Sequence, residues 1–137
     1  MAFIPIQNDH GKYVELGFAT STTVAKGNAV IDNGSGYMTN ASAGGGVDVL
    51  YVAMEAVVTT ANNEKVLCVK TDGVTFLADT DAAWAQTDVG TYSDLASAST
   101  IDPNASSDDI FYIERGVGIA GTGTQVIGTF SRGTPNS

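Results

Sequence analysis

The chain is poor in the side chains that carry chemistry. It has one Cys and one His in 137 residues. A single Cys excludes an intrachain disulfide and any zinc site built on several thiolates. A single His excludes every site that needs two, including the H-E-x-x-H arrangement. Lys and Arg together number 6 against 15 Asp and Glu, a formal net charge of −9. That balance argues against nucleic acid, whose phosphates call for basic patches, and against anionic membrane surfaces. No apolar run reaches the roughly 20 residues of a membrane helix. The longest, Val47 to Val58, is interrupted by Asp48 and Glu55. Met1 to Ile6 has no basic flank and contains Pro5, so it does not read as a secretory leader, and the chain reads as made in a cytoplasm.

Small residues stand where charge is missing: 16 Gly, 16 Thr and 10 Ser. The hydrophobic share of 43% is ordinary for a folded domain, so the composition is not that of a disordered chain. At this length one domain is expected, with enough burial to dispense with a metal or disulfide staple.

The periodicity is that of strands. Lys12 to Phe18 alternates, with Val14, Leu16 and Phe18 on one side and Tyr13 on the other. Asn28 to Asp32 is β-branched and runs into Asn33-Gly34-Ser35-Gly36, a tight turn before Tyr37-Met38-Thr39. Ala41 to Gly46 reads as a flexible loop, and Leu50 to Val58 as one strand buried on both faces. Lys65 to Thr71, Asp72-Gly73 and Val74 to Ala78 spell a hairpin with a two-residue loop. Its register would set Thr71 against Val74, Val69 against Phe76 and Leu67 against Ala78. Thr80 to Gln86 is the one helix candidate, capped by Thr80 or Asp81 and anchored by Trp84. Strands are expected again at Val89–Leu95, Ile110–Glu114, Gly116–Ala120 and Gln125–Phe130, with a polar loop over Ile101–Asp109. The expected fold is all-β with a minor α element near 80–86: a small β-barrel, β-tulip or sandwich. Residues 1–19 form an N-terminal arm or first strand, 20–131 a single β domain and 132–137 a flexible tail.

No catalytic constellation assembles from the sequence. His10 sits in a turn composition, Gln7-Asn-Asp-His-Gly11. Cys68 lies within an apolar alternation and reads as a small buried hydrophobe. Asp72 belongs to a turn and Asp81 to a cap, which leaves Asp79 and Asp88 without the order of a calcium loop. Ser107-Asp108-Asp109 reads as a solvated loop. Gly116-x-Gly118-x-x-Gly121 fits a dinucleotide fingerprint by letter, but no βαβ unit surrounds it, so it reads as strand ends and turns. No cofactor and no metal is expected. A deep pocket lined by Asp79, Asp81 and Trp84 would favour an enzyme or a small-molecule binder. Exposed Tyr37, Tyr92 and Tyr112 on one rim would favour a glycan-binding surface.

One ordering of parts remains. Thr22-Thr-Val-Ala-Lys-Gly27 precedes a β-branched strand. A long apolar strand and the Asp-Gly turn follow. Ala82-Ala-Trp-Ala-Gln86 leads into Val89-Gly-Thr-Tyr92, and Arg115-Gly-Val-Gly-Ile-Ala120 with Gln125-Val-Ile-Gly-Thr-Phe130 closes the chain. Over residues 20–131 this resembles the small capsid decoration (cement) proteins of tailed bacteriophages. Asp88-Val-Gly90 replaces the plain glycine of that pattern, and the loop from Ser97 to Asp109 is long. The resemblance implies a structural role without catalytic residues, on the exterior of a virion assembled in a host cytoplasm. The partners it implies are the major capsid protein and further copies of the chain, as a trimer or as monomers on the lattice, with no nucleic acid and no membrane. The alternative it leaves is another virion surface module, such as a tail or fibre adhesin that binds host glycans. The apolar, extended segment Phe3, Ile4, Pro5 and Ile6 lies outside the match and is the candidate capsid-contact arm.

Overall fold

The structure is a computed structural model and describes residues 3–8, 12–43, 49–106 and 108–130. His10, Gly44 to Gly46 of the Ala41–Gly46 loop, Ser107 and the 132–137 tail lie outside the described residues. The molecule is nearly all β. Its strands are β1 (Ile4–Asn8), β2 (Tyr13–Phe18), β3 (Thr23–Val24), β4 (Ala29–Asp32), β5 (Met38–Asn40), β6 (Tyr51–Ala53) and β7 (Val57–Val58). They continue with β8 (Glu64–Lys70), β9 (Val74–Thr80), β10 (Tyr92–Ser97), β11 (Thr100–Asp102), β12 (Phe111–Val117) and β13 (Gln125–Phe130).

These strands close two rings. The first is a barrel in the order β2-β5-β4-β6-β8, with β8 returning to β2. The second runs β9-β11-β10-β12-β13 and closes where β13 pairs with β9. A ring of five strands cannot alternate direction all the way round, so an odd number of its pairs must be parallel. Each ring has one: β2 with β5 in the first and β9 with β11 in the second. The small pair β3–β7 lies beside the first ring. Strand β1 adds to β9 along Val74–Leu77.

The two rings repeat one another. Both follow the same chain order around the circle, and the pairings correspond residue by residue. Tyr51↔Lys70, Val52↔Val69 and Ala53↔Cys68 in the first become Phe111↔Phe130, Tyr112↔Thr129 and Ile113↔Gly128 in the second. Ala29↔Val52 becomes Tyr92↔Tyr112, and Asp32↔Met38 becomes Leu95↔Ile101. Val14↔Cys68 becomes Phe76↔Gly128. Even an irregular corner recurs. The Gly27 amide donates to the Ala53 carbonyl at 2.7 Å and the Ala53 amide to Asn28 at 2.9 Å. The Gly90 amide likewise donates to Ile113 at 2.8 Å, and the Ile113 amide to Thr91 at 3.0 Å.

A shared core joins the rings. Phe3, Val52, Val69, Phe76, Phe111 and Phe130 belong to one buried cluster. Four phenylalanines make its centre, with ring centroids 4.8 Å apart for Phe3–Phe130 and 5.1 Å for Phe111–Phe130. Such tilted and edge-on contacts suit the ring quadrupole. A second cluster fills the first ring with Phe18, Val24, Val30, Ala53, Val66 and Cys68.

Three local expectations are corrected. First, the Asp72-Gly73 turn forms, with Gly73 at φ 74° and the Val74 amide donating to Thr71, but it is not a hairpin loop. Strand β8 pairs on both edges within the first ring, and β9 does so within the second sheet. Neither has an edge left for the other, so the turn links the repeats. Thr71 stays with the first ring through its hydroxyl, which donates to the Val49 carbonyl at 2.8 Å. Second, no helix spans 80–86. Thr80 ends β9, and only a 3-10 turn forms, at Gln86–Asp88. The Trp84 amide donates to Gly123 and its carbonyl accepts from Gly121. Those sheet-like bonds use the groups that a helix would need. Third, Leu50–Val58 is two short strands, not one, with a break at Met54–Ala56. At the N-terminus, of the two readings, arm or first strand, residues 4–8 form the first strand, β1. Phe3 is 1% exposed, and its amide donates to the Gly27 carbonyl at 3.0 Å.

Candidate functional site

The four candidate contact residues at the N-terminus fold onto the molecule itself. Phe3 is the centre of the aromatic cluster. Ile4 and Pro5 pair with Leu77 and Phe76 and are half-buried. Ile6 alone presents substantial side-chain surface, at 47% exposed. A surface built here would be the outer side of a seated strand.

The carboxylates around the inter-repeat turn do not converge. The Asp79 Oδ1 accepts from the Gln125 side-chain amide at 3.1 Å, and the Asp88 Oδ2 accepts from the Ala85 amide at 2.7 Å. Among the described residues no three of His, Cys, Asp and Glu come together in a way that could hold a metal ion. The Gly116–Gly121 string supplies the end of β12 and a turn, with Gly118 and Gly121 at positive φ.

Asp94 is a polar group that the sequence pattern did not single out. It is 5% exposed, and its Oδ1 accepts from the amides of Asp108 and Asp109 at 2.7 and 3.0 Å. One carboxylate thus fixes the loop that leads into β12, and charge-assisted bonds of this kind are the stronger ones. Its signal in the sequence was a carboxylate within a strand, at Tyr92-Ser-Asp-Leu95.

Cys68 is fully buried. Burial pushes its thiol from 9.0 up to about 12, and the charge of Glu55 adds to the shift. A thiol so held is protonated at neutral pH and is a poor nucleophile.

One open cleft of about 590 Å³ lies at the end of the second ring, where Asp79, Thr80, Thr100, Thr124 and Gln125 meet the Gly118–Gly123 turn. Asp81 and Trp84 do not line it. Trp84 is instead a core anchor, 4% exposed, with its indole N–H donating to the Val117 carbonyl at 3.0 Å. The cleft offers hydroxyls, a carboxamide and one carboxylate.

Of the three candidate rim tyrosines, the structure brings two together. Tyr92 and Tyr112 are cross-strand neighbours with ring centroids 5.1 Å apart, both half-buried on the outside of the second ring. Tyr37 belongs to the β4–β5 turn of the first repeat. No helix among the described residues is long and apolar enough to cross a membrane.

Comparison with family models, curated proteins and solved structures finds no match for this chain.

Proposed function

We propose that the chain is a structural virion protein that binds the outer surface of a tailed-phage capsid and stabilises the shell. The observation that carries this reading is the order of parts from residue 20 to 131, which resembles the capsid decoration proteins. The net charge of −9 supports an outward position, since packaged DNA repels it. The partner is the major capsid protein, and the role is mechanical and non-catalytic. A ligand that binds only the assembled shell stabilises it by RT ln(1 + [L]/Kd) per site. Repeated over a lattice, small increments resist the pressure of packaged genome.

The test compares particles with and without the protein under heating. Decorated particles survive at temperatures that rupture bare ones. Equal survival at saturating occupancy sinks the reading and favours a host-adhesin role. The N-terminal contact is probed separately with Ile6→Glu, because Phe3 must stay in the core. Reduced capsid binding with an unchanged melting temperature assigns the outer side of β1 to the interface. Unchanged binding moves the contact elsewhere.

A further inference from the structure

The repetition of the ring carries a consequence for surfaces. In the first repeat the outward strip Ala29, Val52 and Val69 crosses three neighbouring strands, and all three residues are fully buried. They are covered within the cluster that contains Phe3, Phe76 and Phe130. The contact also has a backbone bond. The Ala29 amide donates at 2.7 Å to the carbonyl of Ala98, in the β10–β11 turn of the second repeat.

The counterpart strip on the second repeat is Tyr92, Tyr112 and Thr129, at the same three register positions. These residues are half-buried and outside the shared cluster. The Tyr92 amide, the counterpart of the Ala29 donor, makes no bond to a described residue of the first repeat. The two rings are therefore not related by a twofold axis, which would set the same strip of each against the other. They are related head to tail. A head-to-tail contact leaves one unsatisfied face at each end and can be repeated.

We infer that the Tyr92–Tyr112–Thr129 strip is a docking face for the first repeat of a second copy of this chain. The occupant is set by internal precedent: the element that covers the strip in the first repeat is itself a copy of the same ring. The counterpart of the Ala98 turn is the β4–β5 turn, Asn33–Tyr37, which lies largely exposed on the surface. In the assembly a carbonyl of that turn accepts from the Tyr92 amide of the next copy, and the tyrosine pair becomes buried. Aromatic side chains of this type are the usual anchors of protein interfaces. Chain joins chain as ring joins ring, ending in a closed circle or an open filament according to the rotation per step. This inference goes beyond the proposed capsid role and does not depend on it, because it concerns the isolated protein.

The experiment measures mass in solution by light scattering or sedimentation for the full chain and two variants. Tyr112→Arg blocks one face and Ser35→Arg the other, with folding checked by circular dichroism. The full chain shows a mass that rises above 14.1 kDa with concentration. In a head-to-tail contact Tyr112→Arg keeps a good turn and Ser35→Arg keeps a good strip, so each alone is monomeric and the two mixed give a one-to-one dimer. If Tyr112→Arg fails to fold, mixing Ser35→Arg with the unmodified chain caps assembly and lowers its mean mass. A full chain that stays at the monomer mass up to about 1 mM overturns the inference. So do variants that assemble like the unmodified chain, or monomeric variants that do not complement each other.

Discussion

The two repeats share a backbone plan and differ in where they keep their bulk. Interior positions in the second ring hold Phe76, Phe111 and Ile113. The same register positions in the first hold Val14, Tyr51 and Ala53. At other positions the exchange reverses: the first ring has Phe18 where the second has Thr80, and Cys68, the partner of Val14, where the second has Gly128, the partner of Phe76. Gly128 makes the exchange visible. A Cβ there would overlap the Tyr112 carbonyl oxygen and lie 2.8 Å from the Phe111 ring. A five-stranded ring encloses little volume, so a large side chain on one strand requires a small one opposite. Strand pairing thus sets the frame, and each repeat fills it with a different jigsaw.

That difference predicts unequal responses to matched truncations. Phe76→Ala removes a fully buried ring from the aromatic cluster and should cost ~3–5 kcal/mol. Val14→Ala, at the counterpart position, removes two carbons from a half-buried site and should cost about 1 kcal/mol. Urea unfolding of the two variants measures both. Equal losses would mean that the rings carry their stability in the same way.

The thiol of Cys68 has no counterpart in the second ring, where Gly128 stands. Its folded value of about 12 exceeds the ordinary 9.0, so the folded state holds the proton more tightly than the unfolded chain. The stability this group contributes is complete below pH 9 and is lost as pH rises towards 12. At pH 11 the loss amounts to ~2–3 kcal/mol. The measurement is the difference between the unmodified protein and Cys68→Ala, in which contributions common to both cancel. The deficit of the variant should shrink by that amount between pH 8 and pH 11. A constant deficit would show that the thiol titrates normally.

A third contrast concerns the connection between the first two strands of each repeat. Val24 fills it in the first and Trp84 in the second. A Cβ on Gly116 would overlap the Trp84 indole, whereas Ala56, at the corresponding point of the first repeat, is exposed. Gly116→Ala should cost ~1–3 kcal/mol. Trp84→Leu should remove most of that penalty, so a double-mutant cycle should show coupling. Additive losses would place the strain elsewhere.

Several of these features were legible in the sequence and others were not, for physical reasons. Asn33-Gly34 spelled a hairpin and is one, because its strands, β4 and β5, keep edges for each other. Asp72-Gly73 carried an equal signal and joins two rings. A turn motif reports the backbone angles it needs, not whether the flanking strands are already paired. Trp84 is the anchor its size suggests, but it is not helical. Its neighbours favour helix, but sheet-like bonds to Gly121 and Gly123 outweigh about two turns of propensity. The duplication left almost no trace in side chains, since exchanged bulk erases similarity at the positions where the backbones agree best. The apolar character of Phe3, Ile4, Pro5 and Ile6 fits a contact surface and a core strand equally, and in Phe3 it serves the core.

One trace of the duplication does survive, and it sets the smallest predicted effect. Gly27 and Gly90 occupy the same corner, two residues before the second strand of each ring, with φ of 91° and 85°. Their amides make corresponding bonds to Ala53 and Ile113. A side chain at such a φ costs ~1–2 kcal/mol in either place, because its Cβ crowds the adjoining carbonyl. At Gly90 that strain is the whole cost, since the site is exposed and the nearest atom to an added Cβ is the Tyr112 hydroxyl at 3.9 Å. Gly27 is buried and beside the Phe3 amide, so Gly27→Ala carries the same strain plus crowding. Gly90→Asn should recover part of the Gly90→Ala loss, because Asn tolerates left-handed backbone better than Ala. Thermal melting of the three variants orders them Gly27→Ala, Gly90→Ala, Gly90→Asn from least to most stable. If Gly90→Ala melts with the unmodified protein, the second corner does not need the geometry of the first. The two rings would then share their strand order without sharing the constraint that shapes this corner.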